Sequence, residues 1–192
     1  MKRSKIVLFS VLPVILIAID QITKWLTRRH FSKKPADVTL IPKVLYFRYV
    51  ENRGAAWGIM QGRFQILSVV SVILIVGFIY ALYKIPKTRR FLPLTLIFLF
   101  ITAGAVGNLI DRLVFGYVTD FIYFSPINFP VFNVADIYVT CSVAALCIAF
   151  LFCYSEEELS FLPFFGAKKP KEAEAEQPKV PDAEQPGEEE SK

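Results

Sequence analysis

The sequence predicts an all-α membrane protein: four transmembrane helices with a small outward-facing β-sheet and a short interfacial helix drawn from the first and third loops. Three observations carry this. Of the 192 residues, 54% are hydrophobic, and the mean hydropathy of +0.46 is too apolar for an ordinary water-soluble domain. Four apolar runs, about 6–26, 64–83, 91–110 and 132–153, each reach the roughly 20 residues a helix needs to cross the hydrocarbon core. Nearly all the charge falls in the links between these runs or at their ends.

The first run opens with Met1-Lys2-Arg3-Ser4-Lys5 and an apolar stretch from Ile6 to Ile19, a pattern shared with secretory signal peptides. It continues into Asp20-Gln21 without a small-x-small cleavage site and on through Trp25 and Leu26, which marks a retained span. In the loop that follows, Val38 to Val50 is rich in β-formers, and Leu45, Phe47 and Tyr49 alternate with Tyr46 and Arg48, the period of a strand. Glu51-Asn52-Arg53-Gly54 reads as a turn, and Ala55 to Met60 as a short apolar piece that sets Trp57 at headgroup level. Val118 to Phe124, ended by Pro126 and Pro130, has the same strand character and is expected to pair with the first-loop strands.

Lys2, Arg3 and Lys5 precede the first run, and Lys84, Lys87, Arg89 and Arg90 crowd the link between the second and third, so both termini and that link are expected in the cytoplasm. The long first loop also carries eight basic residues, Arg28, Arg29, Lys33, Lys34, Lys43, Arg48, Arg53 and Arg63, but long structured loops translocate despite their charge. Residues 1–166 form one membrane domain with 17 Lys/Arg and nine Asp/Glu, a net charge of +8. Residues 167–192 carry five Lys and eight Asp/Glu, a net charge of −3, with no apolar periodicity, and are expected to be a disordered cytoplasmic tail. The basic loops answer to membrane topology and lipid headgroups, and no nucleic-acid partner is expected.

Ionisable residues at a membrane demand a reason, and function is the default. Asp20 and Lys24 end the first run, Asn108, Asp111 and Arg112 end the third, and Asp136 opens the fourth, so alternation of sides gathers them on one face. Asp20 and Lys24 stand four apart on one helical face, as do Asn108 and Arg112, so local pairing explains part of this set. Asp120 and Asp136 lie in apolar settings with no basic residue in helical reach. Two carboxyls meeting at low dielectric share a proton, which is the equipment of an aspartic protease.

Other chemistries lack the residues. His30 is the one histidine, which leaves neither a Ser/His/Asp triad nor a histidine-based metal site, and no metal or cofactor is expected. A Ser/Lys dyad of Ser125 and Lys24 competes with Asp20 for the lysine. Cys141, Cys147 and Cys153 share one apolar run and read as small packing residues, while Ala103, Gly104, Ala105 and Gly107 read as a surface for close helix approach. A small four-span transporter or ion-coupled carrier is the alternative, yet it would place charge near the midplane, and Phe64 to Tyr83 holds none. A third class is a non-catalytic assembly factor that only binds its partner.

Five segments together resemble the bacterial lipoprotein signal peptidases, or signal peptidase II: Asp20-Gln21-Ile22-Thr23-Lys24; Asn52-Arg53-Gly54-Ala55-Ala56-Trp57-Gly58; Ala103 to Arg112 (AGAVGNLIDR); Gly116-Tyr117-Val118-Thr119-Asp120-Phe121; and Phe132-Asn133-Val134-Ala135-Asp136. The resemblance covers everything except the acidic tail. It implies a membrane-embedded aspartic endopeptidase of the bacterial inner membrane, with Asp120 and Asp136 as the dyad near the outer face. The implied substrate is a prolipoprotein cut on the amino side of a diacylglyceryl-modified cysteine. Asp20, Lys24, Asn52, Gly54, Asn108, Arg112, Asn133 and Ala135 match positions that shape or support the family's site, and Asp111 is expected to hold Arg112. The expected partners are lipidated prolipoproteins and membrane lipids, with the enzyme a monomer. Trp57 stands where the family is expected to have Phe, and Ala103 where a paired glycine is common.

Overall fold

The computed structural model describes residues 3–33, 36–54 and 62–162, with side chains from Phe9 onward. The expected interfacial helix with Trp57, and the expected tail 167–192, lie outside the described residues. Four helices are long and apolar enough to cross a membrane: α1 (Arg3–Phe31), α2 (Phe64–Lys84), α3 (Leu92–Phe115) and α4 (Val134–Ile148), the last extended by a π-helical turn over Ala149–Cys153. The strands are β1 (Val38–Ile41), β2 (Leu45–Asn52) and β3 (Val118–Phe124).

Hydropathy runs mark what lies in lipid and say little about where a helix stops. Accordingly α1 continues to Phe31 and α3 to Phe115, each about five residues past the apolar run, and these extensions carry Arg28 and Asp111 although Leu113, Val114 and Phe115 are exposed. Gly116, at φ +75°, closes α3 by donating its N–H to the Arg112 carbonyl, a left-handed cap that suits glycine. At the other end Asn133 sets the start of α4 two residues later than the run suggests: its side chain accepts the Asp136 N–H while the Asp136 carboxylate accepts the Asn133 N–H.

The three strands form one antiparallel sheet in the order β1-β2-β3. What reads as one strand from Val38 to Val50 is two, split by a turn in which Lys43 takes φ +61°. Strand β2 then continues through Glu51 and Asn52, which were expected in a turn, because β3 offers partners there: Glu51 lies opposite Thr119 and Asn52 opposite Val118. The Ile122 and Phe121 N–H groups both donate to the Phe132 carbonyl, and the Phe132 N–H returns to Ile122. That bridge ties the start of α4 to β3, so Asn133 and Asp120 arrive side by side.

Helix α3 is the hub, packed against α1, α2 and α4. Half of its most apolar window is buried, against 11–17% for the other three, which leave most of their apolar surface to lipid. A second cluster at the end remote from the sheet joins Ala81, Ile85, Leu94 and Phe98 to Leu159 and Leu162, so the chain just after α4 folds back under the bundle. The three cysteines are free and exposed on α4 and its π turn, contrary to the expected packing role. In a bundle organised around one central helix, an outer helix turns much of its circumference to lipid, and apolarity alone does not mark the packed face.

Close approach at α3 is real where glycine provides it. A Cβ at Gly104 would lie 2.6 Å from the Ala135 carbonyl oxygen and 2.8 Å from Val139 Cγ2. Backbone cannot yield as a side-chain tip does, so Gly104→Ala should force α3 and α4 apart and destabilise the protein by about 1–3 kcal/mol, the usual penalty of overpacking. Gly77, whose added Cβ would meet nothing within 4 Å, is the control. Melting of the detergent-solubilised protein should drop for Gly104→Ala and hold for Gly77→Ala.

Candidate active site

The site is built around one buried cation. Lys24, on α1, is fully enclosed, and its ammonium lies 2.7 Å from Asn108 Oδ1, 2.9 Å from Asp20 Oδ2 and 3.8 Å from Asp111 Oδ2. Both carboxylates are themselves fully buried. Asp20 Oδ1 accepts the Ala135 N–H at 3.0 Å, and Gln21 joins Asp20 Oδ2 to the Gly107 carbonyl. A Cβ at Gly107 would lie 2.5 Å from Asp20 Oδ2, so only glycine lets this carboxylate reach α4.

Asp111 differs from expectation. It faces Lys24 and Arg28, with Arg28 Nη1 3.5 Å from Oδ1, and its Oδ2 accepts the Thr119 N–H at 2.9 Å. Arg112, its chain neighbour, points instead into a cavity, since adjacent helical residues diverge by about 100°. Arg28 also donates to Thr119 Oγ1 at 2.6 Å and lies over the Phe115 ring. Arg28 and Thr119 were missed from sequence. Arg28 stands four residues after Lys24 and eight after Asp20, the same face of α1, and that spacing was the available signal.

Three asparagine amides carry this order to two carboxylates. Asn108 Oδ1 faces the Lys24 ammonium, so its Nδ2 donates to Asp136 Oδ1 at 2.8 Å. Asn133 Oδ1 accepts the Asp136 N–H, and its Nδ2 donates to Asp120 Oδ1 at 2.6 Å and to Asn108 Oδ1 at 3.1 Å. Asn52 Oδ1 accepts the Gly54 N–H, and its Nδ2 donates to Asp120 Oδ2 at 2.8 Å. In every case an obligate donor occupies the amide oxygen and fixes which end of the amide meets the carboxylate.

Asp120 and Asp136 both line a cavity of about 600 Å³, with Asn52 of β2 and Arg53 just after it, Asn108 and Arg112 of α3, and Ile137, Thr140 and Cys141 of α4. Burial, and secondarily the Asp136 charge, push the Asp120 carboxyl up to about 7, against the opposing pull of the Asn52 and Asn133 donors and of Lys24. The remaining expected residues are placed as support: Gly54 anchors Asn52, and the fully buried Ala135 supplies the N–H to Asp20. Among the described residues no group of His, Cys, Asp and Glu is arranged to hold a metal ion. Such an arrangement can hold one proton between two carboxyls beside an open cavity at the sheet end of the bundle.

Known proteins resemble this chain in sequence and in fold over most of its length. The signal peptidase (SPase) II family profile matches residues 12–152, a stretch that contains every site residue described above. A lipoprotein signal peptidase of Anoxybacillus flavithermus is 35% identical over 155 residues, covering 80% of this chain and 89% of that protein. One of Microcystis aeruginosa is 39% identical over 141 residues, covering 73% and 90%. A bacterial membrane enzyme solved in meso at 2.3 Å superposes with a TM-score of 0.65 at 30% identity, covering 74% of this chain and 87% of that one. With its sequence and its fold matched over most of its length, the chain belongs to the signal peptidase II family of bacterial membrane proteases.

Proposed function

We propose that Asp120 and Asp136 are the catalytic dyad with which this multi-pass inner-membrane protease removes signal peptides from prolipoproteins. The observation that carries the reading is that both carboxylates reach one cavity, each held by two hydrogen-bond donors. With one proton between them, the ionised carboxylate takes a proton from water, and the water attacks the scissile carbonyl. The neutral carboxyl hydrogen-bonds the developing oxyanion, and a proton then passes to the leaving amine as the C–N bond breaks. No covalent intermediate is needed.

The cut falls on the amino side of a cysteine that already carries a diacylglyceryl group. Such a substrate keeps both its acyl chains and its apolar signal helix in the bilayer, so the dyad must come to the headgroup boundary, where water is available. The sheet end of the bundle is then the outer face, and the basic link from Lys84 to Arg90 lies with both termini in the cytoplasm. One copy supplies every group named, which suits a monomer surrounded by membrane lipids.

Asp120→Asn and Asp136→Asn should each insert and fold yet fail to shift a diacylglyceryl-modified prolipoprotein on a gel; wild-type cleavage by either would refute the dyad. Asp111→Asn should act differently, because it strips a carboxylate from the buried Lys24 and Arg28. A loss of about 3–5 kcal/mol is expected in its melting, as for other broken buried pairs. The pH dependence follows from Asp120: since its carboxyl ionises near 7 rather than near 4, the singly protonated dyad persists at neutral pH and is lost as pH rises. Cleavage should therefore decline on the alkaline side with a midpoint near 7, and a flat rate up to pH 9 would contradict the raised Asp120 value.

A further inference from the structure

The two carboxylates of the proposed dyad meet different donors, and the difference has a direction. Asp136 lies in the first turn of α4, where its Oδ2 accepts the Asn133 N–H and the N-terminal end of the helix dipole favours an anion. Its Oδ1 accepts from Asn108, whose own amide oxygen is polarised by the Lys24 ammonium 2.7 Å away. A hydrogen-bond chain that starts at a charge is strengthened along its length. Among the described residues Asp120 accepts from two side-chain amides, Asn52 and Asn133, and it sits on β3, outside the first turn of α4 that holds Asp136.

The other charges nearby do not cancel this contrast. On α1 and α3, Lys24 and Arg28 are paired with Asp20 and Asp111. On β2, Glu51 and Arg53 pair with each other at the exposed rim. On α3, Arg112 lines the same cavity as both carboxylates.

On the reading that these two residues are the dyad, we propose that its proton rests on Asp120, and that Asp136, kept charged through Asn108 by the buried Lys24, is the base that activates water. Lys24 and Asn108 are then positioning residues that act by deciding which carboxyl ionises first. Burial of Asp120 works in the same sense. In the step itself, Asp136 accepts a water proton as the new C–O bond forms, while Asp120 donates its proton toward the carbonyl oxygen. Collapse of the tetrahedral species breaks the C–N bond as Asp136 gives its proton to the departing amine and a hydroxyl proton of the tetrahedral species returns to Asp120, leaving the dyad with one.

The test is the pH profile of kcat/KM for a diacylglyceryl-modified prolipoprotein peptide, whose acidic limb reports the base and whose alkaline limb reports the acid. Asn108→Ala removes a donor from the anion Asp136, so the acidic limb should move up by about one pH unit, the equivalent of one lost charge-assisted hydrogen bond, with the alkaline limb in place. Asn52→Ala removes a donor from Asp120 and should move the alkaline limb up while leaving the acidic one. Asn52 belongs to the strand, outside the buried lattice, so it decides the question alone if Asn108→Ala fails to fold. An exchange of limbs, or both limbs moving together in Asn52→Ala, overturns the assignment while leaving the dyad intact. Cleavage by Asp120→Asn or Asp136→Asn would instead remove the dyad itself.

Discussion

The Lys24 ammonium is the constraint on which the rest of the structure depends. An unpaired cation enclosed at the end of a membrane bundle is prohibitively unfavourable, so the fold must deliver acceptors to it from more than one element. It does so with Asp20 from the same helix and Asn108 and Asp111 from α3. Once those acceptors are in place, few freedoms remain. Asp20 must approach α4 to receive the Ala135 N–H, which requires Gly107; Asp111 must receive the Thr119 N–H, which anchors the start of β3. The position of the sheet on the bundle is a consequence of satisfying one lysine.

The same lattice settles the polarity of the amides. An asparagine side chain in isolation presents either end to a carboxylate, and the wrong end sets two acceptors against each other. Here an ammonium, a helix-capping N–H and a turn N–H each claim an amide oxygen, leaving every NH2 group for Asp120 or Asp136. Structural and chemical roles are therefore hard to separate. Asn133 caps α4 and donates to Asp120, and Asp136 completes the capping box with a carboxylate that also lines the cavity. Removing any one of these groups disturbs both the helix start and the site.

Much of this was legible in the sequence because polar residues inside apolar runs are conspicuous. The four spans followed from run length, and Asp20, Lys24, Asn108, Asp120, Asn133 and Asp136 stood out against their apolar neighbours. The sheet was legible through alternation in Leu45 to Tyr49 and in Val118 to Phe124. What escaped depends on three-dimensional pairing. Asp111 and Arg112 are adjacent in sequence, yet a helix turns them apart, so Asp111 finds Arg28 and Lys24 while Arg112 finds the cavity. Asn52 read as a turn residue because nothing local reveals that β3 will extend β2 to meet it. The exposed cysteines escaped for a related reason: in lipid, apolar character marks the outside of a helix as readily as its core.

The position of the site reconciles two opposed demands. A shared proton near neutrality needs a low dielectric, which raises Asp120, whereas hydrolysis needs water at the same carboxyls. At the bilayer midplane the first demand would be met and the second would fail; on the sheet's solvent side the reverse would hold. Placing Asp136 at the mouth of α4, and Asp120 on a strand pressed against the helix ends, meets both: each carboxyl is packed on one side by the polar lattice and open on the other to the cavity. Because the lattice is made of fixed donors, the two carboxylates are oriented in advance, and on the proposed reading little reorganisation is left for the reaction itself.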